Sequence, residues 1–300
     1  MQINQIKHNR RIGRVSRSEK KVRSFLKWAG GKYSLMDTIK ERLPDGDKLI
    51  EPFVGAGTVF LNTNYSSYLL NDINADLINL FNELKNNSAS LIVDMRELFE
   101  SEYNNKESFY ELREKFNRSE DIYERSVIFL YLNRHCYNGL CRYNLSGGFN
   151  VPFGKYVRPY FPQAELEFFS EKAQRATFTC ESYVKTIQKA KKGSVIYCDP
   201  PYVPLSKTAS FTTYAKEGFN LDDQAKLANM AESAAFTRHI PVLISNHATT
   251  WTRKIYEQSS HIETVHVART ISHKGSDRTP VEEIFALYDL NWKGPVAVNR

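Results

Sequence analysis

The run Val195-Ile196-Tyr197-Cys198-Asp199-Pro200-Pro201-Tyr202 decides how this chain is read. Its apolar half has the composition of a buried strand, and Pro200 and Pro201 must end that strand because neither can donate to a ladder. Asp199 therefore stands at the carboxyl end of a sheet strand, where open α/β sheets hold their ligands. The prolines also fix the backbone so that a carbonyl, a carboxylate and a ring converge on one small group. Such a set suits a flat heteroaromatic amine. Asp199 and the Pro200 carbonyl would accept the amino hydrogens while Tyr202 stacks on the ring face.

Leu49-Ile50-Glu51 is a second strand-like run, and it leads through Pro52-Phe53-Val54-Gly55-Ala56-Gly57 into a helix start at Thr58. The third glycine of the dinucleotide fingerprint is missing. Tyr68–Asp72 then reads as a short strand ending in an acid, and an acid there accepts both hydroxyls of a ribose. Without the third glycine a pyrophosphate has no seat against the helix, so S-adenosylmethionine fits better than a nicotinamide dinucleotide. Upstream, Gly30-Gly31-Lys32 invites a phosphate-loop reading, but that loop needs a glycine where Leu26 stands. What remains is a tight glycine turn flanked by Trp28, Lys27 and Lys32, suited to lining a pocket.

Outward from these strands, the period alternates between two and 3.6. Helices are expected at Ser34–Leu43, Ala164–Arg175, Glu181–Ala190, Asp222–Phe236 and Thr250–Tyr256. Further strands are expected at Thr177–Cys180 and Val242–Asn246, with a terminal antiparallel pair at His261–Val267 and Glu283–Tyr288. Leu205–Gly218 is polar and Ser/Thr-rich, an expected mobile loop over the site. From Ala75 to about Arg134 only helices are expected, at Ala75–Lys85, Ser90–Phe99, Glu107–Asn117 and Ile122–Arg134. Ser146-Gly147-Gly148, between two aromatic-rich runs, predicts a β-hairpin. The fold class is α/β: a doubly wound, mostly parallel, Rossmann-like sheet with an inserted helical block and hairpin.

Charge sharpens the reading. Residues 1–23 hold eight Lys/Arg against one acid, Glu19, so they carry the whole formal excess of +7 and the remaining chain is neutral. A basic disordered arm is expected there, either a solvated tail, a DNA-contacting arm or an organelle presequence. From Arg125 to Ala164 there is no Asp or Glu, while Arg125, Arg134, Arg142, Lys155 and Arg158 are basic. That asymmetry is the footprint of a polyanion. Arginine and asparagine at a hairpin tip would read guanine and adenine in a groove; the alternative is a surface hairpin whose arginines are merely solvated.

No apolar run approaches the roughly 18–20 residues of a membrane span, and no signal-peptide pattern is present. Cys136, Cys141, Cys180 and Cys198 form no CxxC pair, so reduced thiols in a reducing compartment and no metal are expected. The histidines from His135 onward likewise lack metal-ligand spacing.

Taken together, Phe25–Tyr33, Glu51–Gly57, Asp72, Tyr137–Arg142 and Asp199–Tyr202 resemble the DNA adenine methyltransferase (Dam) family in its glycine-motif-first arrangement. The resemblance runs from about Phe25 to Tyr288, and residues 1–23 have no counterpart in it. It implies methyl transfer from S-adenosylmethionine to N6 of a flipped-out adenine in duplex GATC. It also implies cofactor contacts from Trp28, Lys32, Asp72 and Asp199, with Phe53, Gly55 and Gly57 shaping the pocket. Lys27 would read a guanine, Arg113 would contact a phosphate, and Tyr137, Asn138, Leu140 and Arg142 would form the DNA-reading tip. The implied domains are the arm 1–23, a catalytic, S-adenosylmethionine-binding domain of 24–74 and 163–300, and a target-recognition domain of 75–162. Asp199, Pro200 and Tyr202 would be the catalytic set. Double-stranded DNA is the expected partner of a cytoplasmic, nucleoid-associated monomer in a bacterial or phage-infected cell. The readings kept beside this one are a cytosine-N4 methyltransferase, a non-catalytic sequence-specific DNA-binding protein and a nicotinamide oxidoreductase.

Overall fold

A computed structural model describes residues 20–203, 219–267 and 281–294. Its strands are β1 (Lys48–Glu51), β2 (Ser67–Asn71), β3 (Ala176–Thr179), β4 (Ser194–Cys198), β5 (Val242–His247), β6 (His261–Val267) and β7 (Val281–Tyr288). They make one sheet in the order β3-β2-β1-β4-β5-β7-β6. β1 to β5 are parallel. β7 runs antiparallel to β6, as expected, and also to β5. The chain steps outward from β1 to β3, then returns to the other side of β1 as β4 and steps to β5. The winding direction therefore reverses between β1 and β4, and a crevice opens at the carboxyl ends of strands at such a reversal.

Alternation along the strands sorts side chains to two cores. Leu49, Val195, Tyr197 and Leu243 face one cluster, while Ile50, Ile196, Cys198 and Ile244 face the other. Both faces are covered by helices, which is why these strands read as continuous apolar runs. The covering helices include α1 (Met36–Arg42), α2 (Thr58–Asn62), α7 (Gln163–Ala173), α8 (Tyr183–Gln188), α9 (Leu221–Glu232) and α10 (Thr250–Ile255).

Between β2 and β3 lie α3 (Ala75–Asn86), α4 (Ser88–Glu97), α5 (Lys106–Arg118) and α6 (Ile122–His135). Asn74, Asn105 and Asp121 cap α3, α5 and α6 by accepting from the backbone of the first turn, each worth about 1 kcal/mol. α6 is the axis of this block: every residue from Ser126 to His135 is buried. Its Phe129 joins Phe81 of α3 and Phe116 of α5 in the cluster that also holds Leu49 and Tyr197. The inserted block is thus packed onto the sheet without a break in apolar contact.

The hairpin departs from expectation. Its arms form isolated bridges, Cys136 with Phe153 and Tyr143 with Phe149, rather than a ladder. Two residues explain the missing ladder. Asn138 turns to φ +54° in a short 3-10 turn, and Pro152 has no N–H to donate. Asn144 holds the tip instead, accepting from the N–H groups of Ser146 and Gly148 at 3.0 and 2.8 Å.

Residues 1–19 of the expected arm and the expected loop Leu205–Gly218 lie outside the described residues. The end of the arm is packed against the body. Asn62 accepts from the N–H of Val22 and donates to its carbonyl, and the Arg23 guanidinium lies 4.2 Å over the Tyr33 ring. Among the described residues no helix is long and apolar enough to cross a membrane.

Candidate active site

The two strands at the reversal each deliver an acid: Glu51 ends β1 and Asp199 follows β4. A cavity of about 1120 Å³ lies over these ends. The Gly55–Asp72 wall and the Asp199–Tyr202 wall both line it, so the two motifs share one site. That volume lies just above the roughly 300–1,000 Å³ of pockets for a single drug-sized ligand.

One oxygen of Asp199 is heavily engaged. Lys32 Nζ lies 3.0 Å from Oδ1, and Ser245 donates its hydroxyl to the same atom at 3.0 Å. Tyr197 OH stands 3.0 Å from Ser245 Oγ, so the proton order is Tyr197 to Ser245 to Asp199. Oδ2 of Asp199 and the Pro200 carbonyl accept no hydrogen bond from any described residue. The turn that presents them is fixed from behind: Gln224 donates to the Pro201 carbonyl at 2.6 Å, and the Val203 N–H donates to Asn246 Oδ1 at 3.2 Å.

Tyr202 is held at its far end and on its sides. Its hydroxyl donates to Glu283 Oε2 at 2.7 Å. The His247 ring meets it edge-on at 4.7 Å, and Lys32 Nζ sits 4.4 Å over its face. Lys32 also donates to the Gly30 carbonyl at 2.8 Å, which makes the glycine turn a bracket for this ammonium.

On the other wall, Gly55 takes φ +48° and its N–H donates to Asp72 Oδ2 at 3.0 Å. A Cβ there would stand 3.1 Å from the indole nitrogen of Trp28, so backbone and indole close up only around a glycine. Asp72 Oδ1 accepts from the Asn74 N–H at 3.0 Å. Burial pushes the Asp72 carboxyl above its ordinary range, and each oxygen keeps lone-pair capacity for a hydroxyl. Phe53 stacks on Tyr183 at 5.5 Å and meets the edge of Phe219 at 5.4 Å, making an apolar slot. Gly57 opens α2 with φ +71° and lies off the cavity wall, so it shapes the turn rather than the surface.

Beyond its place in the Glu51–Gly57 run, nothing local in the sequence marks a role for Glu51. Its Oε1 is buried without a hydrogen-bond partner. Burial first, and then the charge of Asp199, push its carboxyl well above the usual range. An orphaned acceptor facing the cavity fits a ligand that brings a cationic donor, as the amino-acid end of S-adenosylmethionine does. Ser245 and Glu283 were also missed. Among the described residues no cluster of three or more His, Cys, Asp or Glu could hold a metal.

The basic face lies on the inserted block. Tyr137, Asn138, Leu140 and Arg142 are all exposed. Arg142 spends part of its fork on Asn150, with Nε to Oδ1 at 2.7 Å and Nη2 to the carbonyl at 3.2 Å. Asn144 and Asn150 are thus used within the hairpin, whose tip lies at Asn144–Gly148, and Asn138 is instead exposed in the 3-10 turn at the hairpin's start. Arg113 packs over the Tyr110 ring at 4.5 Å and donates to the Val151 carbonyl at 3.3 Å, bracing the hairpin base. Lys27 extends over the Tyr156 ring at 3.8 Å. The buried Asn133 binds both the N–H and the carbonyl of Lys27, at 2.9 and 2.7 Å, and donates to the Gly139 carbonyl at 3.3 Å. That one amide ties the Trp28–Lys32 segment to the hairpin.

A family model described as D12 class N6 adenine-specific DNA methyltransferase matches residues 28–271. The DNA adenine methylase of Vibrio cholerae serotype O1 is 57% identical over 269 residues, covering 90% of this chain and 97% of that protein. The DNA adenine methylases of Serratia marcescens and Escherichia coli K12 are each 56% identical over 269 residues, covering 90% of this chain and 99% and 96% of theirs.

Proposed function

Because the chain belongs to the D12 class of N6 adenine-specific DNA methyltransferases, we propose that it methylates adenine in duplex GATC with S-adenosylmethionine as donor. Membership of an adenine-N6 class sets aside the cytosine-N4, regulator and nicotinamide readings. The observation that carries the mechanism is Asp199: one oxygen is fixed by Lys32 and Ser245 while the other, beside the Pro200 carbonyl, stays available in the cavity.

The free N6 amine is a poor nucleophile because its lone pair is delocalised into the ring. Asp199 Oδ2 and the Pro200 carbonyl each accept one N6–H, which holds the nitrogen pyramidal and frees the lone pair. Bound S-adenosylmethionine supplies an electrophilic methyl, whose bond to sulfur breaks, with its electron pair left on sulfur, as the N–C bond forms. Asp199 offsets the positive charge gained by N6, then accepts a proton from it. Positioning and electrostatics account for the rate, without a strong base. The target must leave the stack at a cost of a few kcal/mol, and stacking on Tyr202 recovers roughly 1–3 kcal/mol.

Asp72 takes the ribose hydroxyls, Glu51 a donor at the amino-acid end, and Trp28, Gly55 and the Phe53 slot the remainder of the donor. Lys27, Tyr137, Asn138, Leu140 and Arg142 face the duplex, with Arg113 bracing the hairpin and meeting the backbone at its edge. Cavity and hairpin belong to one chain, which supports action as a monomer. The four unpaired cysteines support a cytoplasmic setting.

The test is direct. Purified protein, labelled S-adenosylmethionine and a GATC duplex should yield N6-methyladenine on nucleoside analysis, and Asp199→Ala should lower turnover at saturating donor by at least about 100-fold. Label on cytosine, or near-normal turnover of the variant, would reject the assignment.

A further inference from the structure

Arg142 is flanked by two residues that face the other way. Alternate side chains of an extended segment point to opposite sides, and Arg142 is exposed while Cys141 and Tyr143 are half-buried and packed against the main core cluster. Cys141 Sγ lies 3.6 Å from Nδ2 of Asn74. Tyr143 donates its hydroxyl to Oδ2 of Asp76 at 2.7 Å. Oδ1 of Asp76 is held by Arg125 of α6, from Nη2 at 2.6 Å and Nε at 3.0 Å. Asn74 and Asp76 follow Asp72 closely, Asn74 as the N-cap of α3 and Asp76 in the first turn of that helix. The Asn74 N–H donates to Asp72 Oδ1, and the Asn74 side chain caps α3 by accepting from Leu77. Two contacts, Cys141 with Asn74 and Tyr143 with Asp76, therefore tie the segment that carries Arg142 to the residues that follow Asp72 in the chain, and together they frame the space between the cofactor wall and the duplex face.

We propose that Asp76, through Tyr143 and Arg125, is a positioning residue that couples reading of the DNA sequence to binding of the methyl donor. This rests on the reading above that Asp72 holds the ribose and the hairpin meets the duplex. A cognate duplex that fixes Arg142 also fixes Tyr143. The Tyr143–Asp76 bond passes that order to the Asn74 turn, so Asp72 is held ready for the ribose. An altered site leaves Arg142 without its base and the frame loose, so sequence is discriminated at donor binding as well as at base contact. Linkage makes the effect reciprocal: a filled donor site tightens cognate duplex by the same factor.

The experiment measures, by calorimetry on the full chain, the affinity for S-adenosylhomocysteine alone, with GATC duplex, and with duplex altered at one base. The parent should bind about tenfold tighter with cognate duplex, within the 5–150-fold typical of coupled sites, and much less so with the altered duplex. Tyr143→Phe, which removes one hydroxyl and leaves the Asp76–Arg125 pair, should bind S-adenosylhomocysteine alone as the parent does. Its cognate tightening should fall below about twofold. Undiminished tightening in this variant overturns the proposal. Should Tyr143→Phe fail to fold, the parent decides: duplex affinity that does not rise at saturating S-adenosylhomocysteine overturns it equally. Methyl transfer is assayed on the same parent preparation. No transfer to adenine defeats the functional reading, whereas transfer without coupling defeats this proposal alone.

Discussion

Ser245 reaches from β5 to donate its hydroxyl to Oδ1 of Asp199 at 3.0 Å, on the oxygen that Lys32 also engages. Two donors on one oxygen set the carboxylate's rotation and turn the other oxygen to the cavity. Ser245→Ala should therefore lower kcat by about tenfold, near 1.4 kcal/mol of barrier, with little change in KM for the donor. Ser245→Thr, which keeps the hydroxyl, should recover part of the loss. A variant impaired only in KM would assign Ser245 to binding instead.

Glu283 does for the ring what Ser245 does for the acid. With its acceptor gone, Tyr202 keeps its contact with His247 but loses the 2.7 Å bond that fixes its tilt. Glu283→Leu should cost about tenfold in kcat/KM, within the roughly 1–3 kcal/mol of one base stack. Glu283→Gln retains an acceptor and should stay near the parent. Fluorescence of 2-aminopurine at the target position reads the same property, and a Leu variant identical to the parent in it would remove Glu283 from the role.

Arg142 keeps part of its guanidinium free beyond its bonds to Asn150. If that part meets a base, Arg142→Ala should lose about 1–3 kcal/mol of discrimination between GATC and sites altered at one base. Rates on cognate and altered duplexes at fixed salt measure it. An equal loss on all sequences would make Arg142 a backbone contact.

His135 gives a stability signature. Its ring is buried, stacked 4.0 Å from Tyr131, with Nδ1 2.9 Å from the Tyr131 carbonyl. Burial pulls its pKa from 6.5 to about 4. The unfolded chain therefore takes up a proton below about 6.5 that the folded chain refuses until about 4, and the stability present above 6.5 is lost across that window. The size is ~3 kcal/mol. Melting curves from pH 7 to 4 should fall less steeply for His135→Gln than for the parent, and parallel slopes would refute the assignment.

What could be read from residues alone was local chemistry at strand ends. Two prolines after Asp199 and a glycine turn after Glu51 announce a strand terminus whatever surrounds them. The side chains that steer those groups were hidden for the opposite reason. Ser245 reaches Asp199 only through the pairing of β4 with β5, and Glu283 reaches Tyr202 only because β7 lies antiparallel beside β5. Registers of that kind carry no local mark. The hairpin was legible as a path but not as a structure. Its tip asparagines suggest base readers, yet Asn144 spends its side chain closing its own turn and Asn150 spends its on Arg142. Gly55 and Gly57 look equivalent in sequence, and only the fold separates the one against Trp28 from the one behind it.

The pairing of Lys48 with Ser194 has a consequence for biosynthesis. Everything from α2 to α8 is threaded between two strands that must lie side by side, so their alignment waits on a long loop closure. A nascent chain on the ribosome can build the glycine turn and the helical insert early. It has no second wall for the donor until residues near 200 have emerged, so this crevice forms after the helical insert and not with it.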